Sequence, residues 1–197
     1  MRKRSIVIFA SGSGSNVEKI AEYFADRSDV EISLILSNNP KAGVIERARR
    51  YHIPVLLFDR TGFYQTDQVT SLLQKQGVDL IVLAGFMWLM PVPLVQAFPN
   101  RIVNIHPALL PKFGGKGMYG HFVHEAVVGA GETESGITIH FVNEQYDEGQ
   151  VIFQATCPVE PTDDAEAVAR KVQVLEHRHY PRVVDEVLQR LDLQYEL

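Results

Sequence analysis

Asn104 and His106 stand two residues apart at the end of the apolar run 101–106, and Pro107 follows at once. In an extended strand, residues i and i+2 project to one face, so this spacing presents an amide and an imidazole together. Pro107 pushes His106 toward extended backbone and ends the strand. An imidazole passes protons near neutral pH, and an amide N–H stabilises a developing oxyanion. The bland reading is a satisfied strand-end histidine beside an asparagine. Asp147, in "NEQYDEG" (143–149), is a carboxylate that can reach the same edge and hold or charge His106. Glu144 and Glu148 compete with it on spacing alone, and Asp-Glu-Gly also fits a plain hairpin turn.

A second group is "SGSGSN" (11–16), directly after the apolar run 5–10. Its glycines let backbone N–H groups approach an anion, and a helix starting there adds partial positive charge. Ser11, Ser13, Ser15 and Asn16 add donors. Position 17 is valine, so the dinucleotide fingerprint GxGxxG is incomplete, and no Gly-Lys-Ser/Thr follows. The loop suits one phosphate rather than a pyrophosphate. The alternative is a tight turn whose helix is capped by Ser15 or Asn16.

Two further stretches read either way. "LAGFMWLMP" (83–91) either walls a flat heteroaromatic ligand or is ordinary core. "PKFGGKGMYGH" (111–121) is either a loop that closes over an anion or a plain surface loop. No metal is expected. His121, His124 and Glu125 lack a metalloprotease spacing, and His177 and His179, two apart on a helix, do not share a face. No Gly-x-Ser-x-Gly elbow is present.

These groups need elements to hold them. Runs rich in Ile, Val and Leu at 5–10, 31–37, 54–58, 79–85 and 101–106 read as strands buried on both faces. Segments with helical spacing separate the first four: "SNVEKIAEYFADR", "AGVIERARRYH" and "YQTDQVTSLLQKQG". Runs 136–143 and 150–159 look like a hairpin-type pair, and 163–191 reads as one long amphipathic helix. Val168, Val172, Leu175, His179 and Val183 fall near one stripe of it. The expectation is an α/β, Rossmann-like three-layer sandwich: a mostly parallel, mixed central sheet with helices on both faces. A single domain over 1–197 is expected, with a phosphate-binding half (1–100) and a catalytic half (101–197) that ends in the long helix.

Bulk properties narrow the class. With 46% hydrophobic and 22% charged residues, wholesale disorder is excluded. A net charge of -5 argues against a nucleic-acid partner. Cys157 is the only cysteine, so no intrachain disulfide forms, which fits a cytoplasmic location. No apolar run reaches the roughly 18 residues of a membrane span.

On "NIHPALLP", with "SGSGSN" upstream and "YDEG" downstream, the sequence resembles the folate-dependent formyltransferases. "LAGFM", "HEAV", "GITIHFV" and "QVLEHRHYP" extend the likeness over nearly the whole chain. The phosphate loop and lone-domain length are most similar to the members acting on 5′-phosphoribosylglycinamide (GAR). The resemblance implies formyl transfer from 10-formyltetrahydrofolate to the GAR amine in de novo purine biosynthesis. It implies small-molecule substrates, no metal, no nucleic acid, no membrane, and a monomer or weak homodimer. It assigns catalysis to Asn104, His106 and Asp147. It places Gly14, Ser15 and Asn16 at the substrate phosphate region and Glu176 at the glycinamide. Met87, Trp88, Leu89 and Met90 would line the folate pocket beside Asn104. The chain departs from the family at Trp88, where "FMR" becomes "FMW", and a family arginine near residue 66 has no clear match.

Overall fold

The computed structural model describes residues 3–193. A seven-stranded sheet is built from β1 (Arg4–Phe9), β2 (Val30–Ser37), β3 (Val55–Leu57), β4 (Leu80–Leu83), β5 (Ile102–His106), β6 (Glu134–Phe141) and β7 (Val151–Pro158). The helices are α1 (Ser15–Phe24), α2 (Val44–Arg50), α3 (Arg60–Tyr64), α4 (Gln68–Lys75), α5 (Val92–Ala97), α6 (His121–Gly129) and α7 (Ala165–Leu193). The strand order is β3-β2-β1-β4-β5-β6-β7. Strands β1 to β5 pair parallel, while β5–β6 and β6–β7 pair antiparallel. The expected mixed sheet is present, and its second half is a hairpin.

Side-chain alternation along β1 explains the layers. Ile6 and Ile8 pack into one core with residues of α1, α2, α6 and α7; Val7 and Phe9 pack into the other with residues of α4 and α5. A strand apolar on both faces is stable only when both faces are covered. The long helix forms as the 163–191 pattern predicts, with Val168, Val172, Tyr180, Val183 and Val184 buried. Leu175 and His179, expected on the same stripe, are half-buried. Tyr180 Oη donates to the backbone oxygens of Leu83 (2.8 Å) and Val103 (3.3 Å), which ties α7 to the ends of β4 and β5.

Three helices were not legible. The segment 64–77, expected as one helix, is preceded by the short α3, which Asp59 caps through Gly62 N (2.8 Å). Residues 92–97 form α5 after Pro91, and 121–129 form α6 beyond the glycine-rich stretch.

The sheet order reverses between β1 and β4. In such sheets, ligands bind outside the carboxyl ends of the strands at that switch point. Here the loops after β1, β2 and β4 are tied into one platform. Ser11 N donates to Gly85 O (3.1 Å), Ser11 Oγ donates to Asn38 Oδ1 (2.7 Å), and Met87 N donates to Ser11 Oγ (3.2 Å).

Candidate active site

Above this platform lies a cavity of about 550 Å³. That size suits small-molecule ligands. It takes in the 12–16 loop, Met87–Met90, Asn104, His106, Asp147, Gly115–Gly120, His124, His140 and Glu176. The groups singled out in the sequence therefore meet in one place.

The β5–β6 ladder sets the centre. Asn104 pairs with His140 and His106 with Thr138 across the antiparallel register. Asn104 Nδ2 lies 3.1 Å from His140 Nε2, and His140 Nδ1 lies 2.8 Å from Phe141 O. A carbonyl accepts only from an N–H, so His140 carries its proton on Nδ1 and accepts the Asn104 amide at Nε2. This fixes which end of the Asn104 amide is the donor. One Nδ2 hydrogen is used and the second is left for a ligand.

His106 is almost fully buried. Its Nε2 lies 2.7 Å from Phe113 O, so that nitrogen holds a proton, while Nδ1 faces Asp147 Oδ2 at 3.5 Å. Burial holds the imidazole below its ordinary range; the Asp147 charge and the Phe113 bond offset this only in part. Asp147 pulls the ring toward its charged form, as the motif suggests, but desolvation outweighs it and the ring is more readily neutral than a free histidine.

Asp147 is the acid brought to the centre; Glu144 and Glu148 are exposed. Burial would raise its carboxyl, but the His140 and His106 imidazoles beside it and the Gly115 N–H (2.9 Å to Oδ2) more than compensate and hold it below the usual range. Its second oxygen lies 3.7 Å from His140 Nε2. The residue sits at φ 57, a left-handed backbone that aspartate tolerates better than most side chains.

The chain after Pro107 is pinned by Thr138. Its hydroxyl donates to Ala108 O (2.7 Å) and accepts from Leu110 N (2.9 Å) and Gln154 Nε2 (2.8 Å). Neither Thr138 nor His140 was singled out in the sequence. The signal was there: two polar residues at i, i+2 in the apolar strand 136–143, the same pattern that exposed Asn104 and His106.

At the other end, Gly14 rather than Ser15 or Asn16 is the N-cap of α1, with no side-chain cap, so those two residues open the helix. The capped-turn reading is corrected: α1 starts at the cavity with no side-chain cap. Arg47 Nε donates to Ser13 O (2.8 Å) and Val44 N to Gly12 O (3.1 Å), so α2 clamps the loop from behind. Asn16 Nδ2 donates to Glu176 Oε2 (2.9 Å), while Asn16 Oδ1 is buried without a partner. Burial pushes the Glu176 carboxyl up, and the Asn16 hydrogen bond offsets this in part.

The 87–90 segment divides its tasks. Met87 is exposed, Met90 is core, and Trp88 packs edge-on against Phe58 and tilted against Phe63 and Tyr64. The Arg60 guanidinium lies 5.0 Å over the Trp88 ring. A cation thus stands beside Trp88.

An amide, an imidazole and a carboxylate thus converge at the carboxyl edge of a mixed doubly wound sheet. The formyl transferase family matches residues 4–184, and the chain belongs to it. It is 46% identical over 189 residues to the chloroplastic phosphoribosylglycinamide formyltransferase of Arabidopsis thaliana, covering 93% of this chain and 65% of that protein. It is 35% identical over 192 residues to the phosphoribosylglycinamide formyltransferase of Bacillus subtilis, covering 94% of this chain and 95% of that one. The crystal structure of the enzyme of that name from Anaplasma phagocytophilum superposes with a TM-score of 0.86 at 35% identity, covering 95% of this chain and 88% of that one. The chain thus spans 61–65% of the plant relatives' length and 95% of the bacterial one. Among the described residues, no helix is long and apolar enough to cross a membrane.

Proposed function

We propose that this protein transfers the formyl group of 10-formyltetrahydrofolate to the amine of GAR, giving formyl-GAR and tetrahydrofolate. The observation that carries the reading is the meeting of Asn104, His106 and Asp147 in the same cavity as the 12–16 loop. One end offers backbone N–H groups at a helix start for a single phosphate. The centre offers donors for an oxyanion and a proton carrier. The Met87–Met90 end offers an apolar wall for a folate.

The amine attacks the formyl carbon and a tetrahedral oxyanion forms. The free Nδ2 hydrogen of Asn104, oriented by His140, points a donor at that oxygen. The proton lost by the amine enters His106 at Nδ1, where Asp147 stabilises the imidazolium. Because burial favours the neutral ring, the positive charge develops with the oxyanion rather than before it. The same proton then protonates the folate nitrogen as the carbon–nitrogen bond to the formyl group breaks. No covalent enzyme intermediate is needed.

The test is turnover of GAR with 10-formyl-5,8-dideazafolate, followed by absorbance of the deformylated product. Turnover should require GAR and fall on the order of a hundredfold or more in Asn104→Ala or His106→Ala. Turnover with a different amine and none with GAR would keep the chemistry and discard the substrate. Full activity in both alanine variants would discard the mechanism.

A further inference from the structure

Of the titratable side chains that line the cavity and that the centre above does not use, His124 is the buried one. His124 lies in the first turn of α6, is 6% exposed, and lines the cavity. Its Nδ1 is fully buried and meets no hydrogen-bond partner. A buried nitrogen with an unmade hydrogen bond is a standing cost that folded proteins seldom carry without a reason. With Nδ1 shut off, the imidazole meets a ligand only through Nε2.

The tautomer follows from the same burial. An N–H buried without an acceptor is worse than a buried lone pair, so the neutral ring carries its proton on Nε2. Burial holds His124 below its ordinary range, and the nearby His106 and His121 act in the same direction. Burial thus favours the neutral ring, whose Nε2–H is the donor it can offer a ligand.

Its placement selects the ligand. Helix α6 packs against α7, which carries Gln173 and Glu176 into the cavity. His106, at the reacting centre, is close enough for its charge to act on His124. His124 thus lines the cavity from α6, near the reacting centre, and α6 packs against the helix that carries Gln173 and Glu176. Asn16 Oδ1, a second buried polar atom with no partner, lines the same end of the cavity.

We propose that His124 is a substrate-contacting residue, donating an Nε2–H hydrogen bond to an oxygen of the ribose–glycinamide part of GAR and holding it beside His106. The proposal rests on the GAR reading above and adds a residue that distinguishes this substrate from the folate. A histidine serving only to pack α6 would be indifferent to either ligand.

Two measurements test it. In protein labelled with 15N-histidine, NMR of the imidazole nitrogens should show His124 in the Nε2–H tautomer. GAR alone should shift its Nε2 resonance, and 10-formyl-5,8-dideazafolate alone should not. In kinetics and calorimetry, His124→Leu should weaken GAR by about tenfold or more in both KM and Kd, with the folate KM within about twofold, and His124→Gln, which keeps an N–H donor, should recover most of the loss. A folded His124→Leu variant with wild-type GAR affinity overturns the proposal, as does an imidazole signal that GAR leaves unmoved. If the leucine variant does not fold, the NMR result on the unmutated protein decides. Absence of GAR binding and turnover in the unmutated protein would overturn the underlying reading, and this proposal with it, without reference to any variant.

Discussion

Asn104 and His140 are register partners across the antiparallel β5–β6 pair, and their side chains meet at 3.1 Å between Nδ2 and Nε2. The contact is a product of strand pairing and not of sequence proximity. It sets the Asn104 amide in one orientation, because the His140 proton is committed to Phe141 O on the ring's other nitrogen. Replacing His140 by phenylalanine keeps a flat ring and removes the acceptor. We expect kcat to fall roughly ten- to a hundredfold with smaller changes in either KM, since a misoriented oxyanion donor is lost mainly in the transition state. Steady-state kinetics decides, and a kcat within about twofold of the parent would mean that Asn104 orients itself.

Four buried or half-buried imidazoles should weaken the fold on acidification, with the raised Glu176 carboxyl acting in the opposite direction as it takes up its proton. Burial lowers the folded-state affinity for protons of His106, His124, His177 and His179, from an ordinary value near 6.5. The unfolded chain then binds more protons than the native one, and stability rises with pH across the window between the folded and unfolded values. On acidification, stability therefore starts to fall near pH 6.5 and keeps falling until the folded-state groups protonate. Asp147 acts in a lower window: its folded carboxyl is held down, so its contribution is lost only as pH drops below 3.8. Melting temperatures between pH 7.5 and 5 should decline steadily, and less steeply in His106→Asn. A flat profile over that range would mean these imidazoles are not neutral in the folded state.

Thr138 holds the 107–111 segment with three hydrogen bonds from one buried hydroxyl. Thr138→Val keeps the shape and strands Leu110 N, Ala108 O and one Gln154 donor. Each stranded buried group costs about 1–3 kcal/mol, and relaxation spares some of it, so a loss of about 2–4 kcal/mol is expected. Denaturant unfolding measures it. Activity should fall as well, because His106 is the strand residue paired with Thr138 and sits immediately before the released segment. A variant of parental stability would show that water replaces the hydroxyl.

What was legible in the sequence was what is local. The buried strands announced themselves by continuous Ile, Val and Leu, and the Asn104–His106 pair by i, i+2 spacing at a strand end before proline. The helix after "SGSGSN" was visible, and its cap was not, because a glycine N-cap leaves no side-chain signal. Asp147 could not be separated from Glu144 and Glu148, since only the β6–β7 turn decides which acid points inward. His140 and Thr138 were hidden because their meaning arises from register, 36 residues from Asn104 for the amide contact. The direction of the His106 shift was hidden for another reason. A neighbouring carboxylate can be guessed from a motif, but the desolvation that outweighs it depends on everything packed around the ring.

Gly12 and Gly14 look alike in the sequence and differ in the fold. At Gly14, φ is +78 and an added Cβ would lie 2.7 Å from the Cα, Cβ and Cγ2 of Val44. At Gly12 an added Cβ meets nothing within 4 Å. Gly14→Ala therefore forces a left-handed alanine against α2, which must shift or push the loop away. The conformation alone costs about 1–2 kcal/mol, and the contact with backbone atoms adds to it. Since Gly14 is the N-cap of α1, the displacement moves the helix start at the phosphate end of the cavity. We expect Gly14→Ala to lower stability by about 2–3 kcal/mol and raise the GAR KM by about tenfold or more. Gly12→Ala should leave stability within about 0.5 kcal/mol of the parent, as a substitution in open space does. Any rise in its GAR KM would then come from a methyl standing between backbone and phosphate. Thermal unfolding and GAR titration of the two variants side by side separate loop geometry from loop access. Equal stability in both would mean that α2 does not hold the loop.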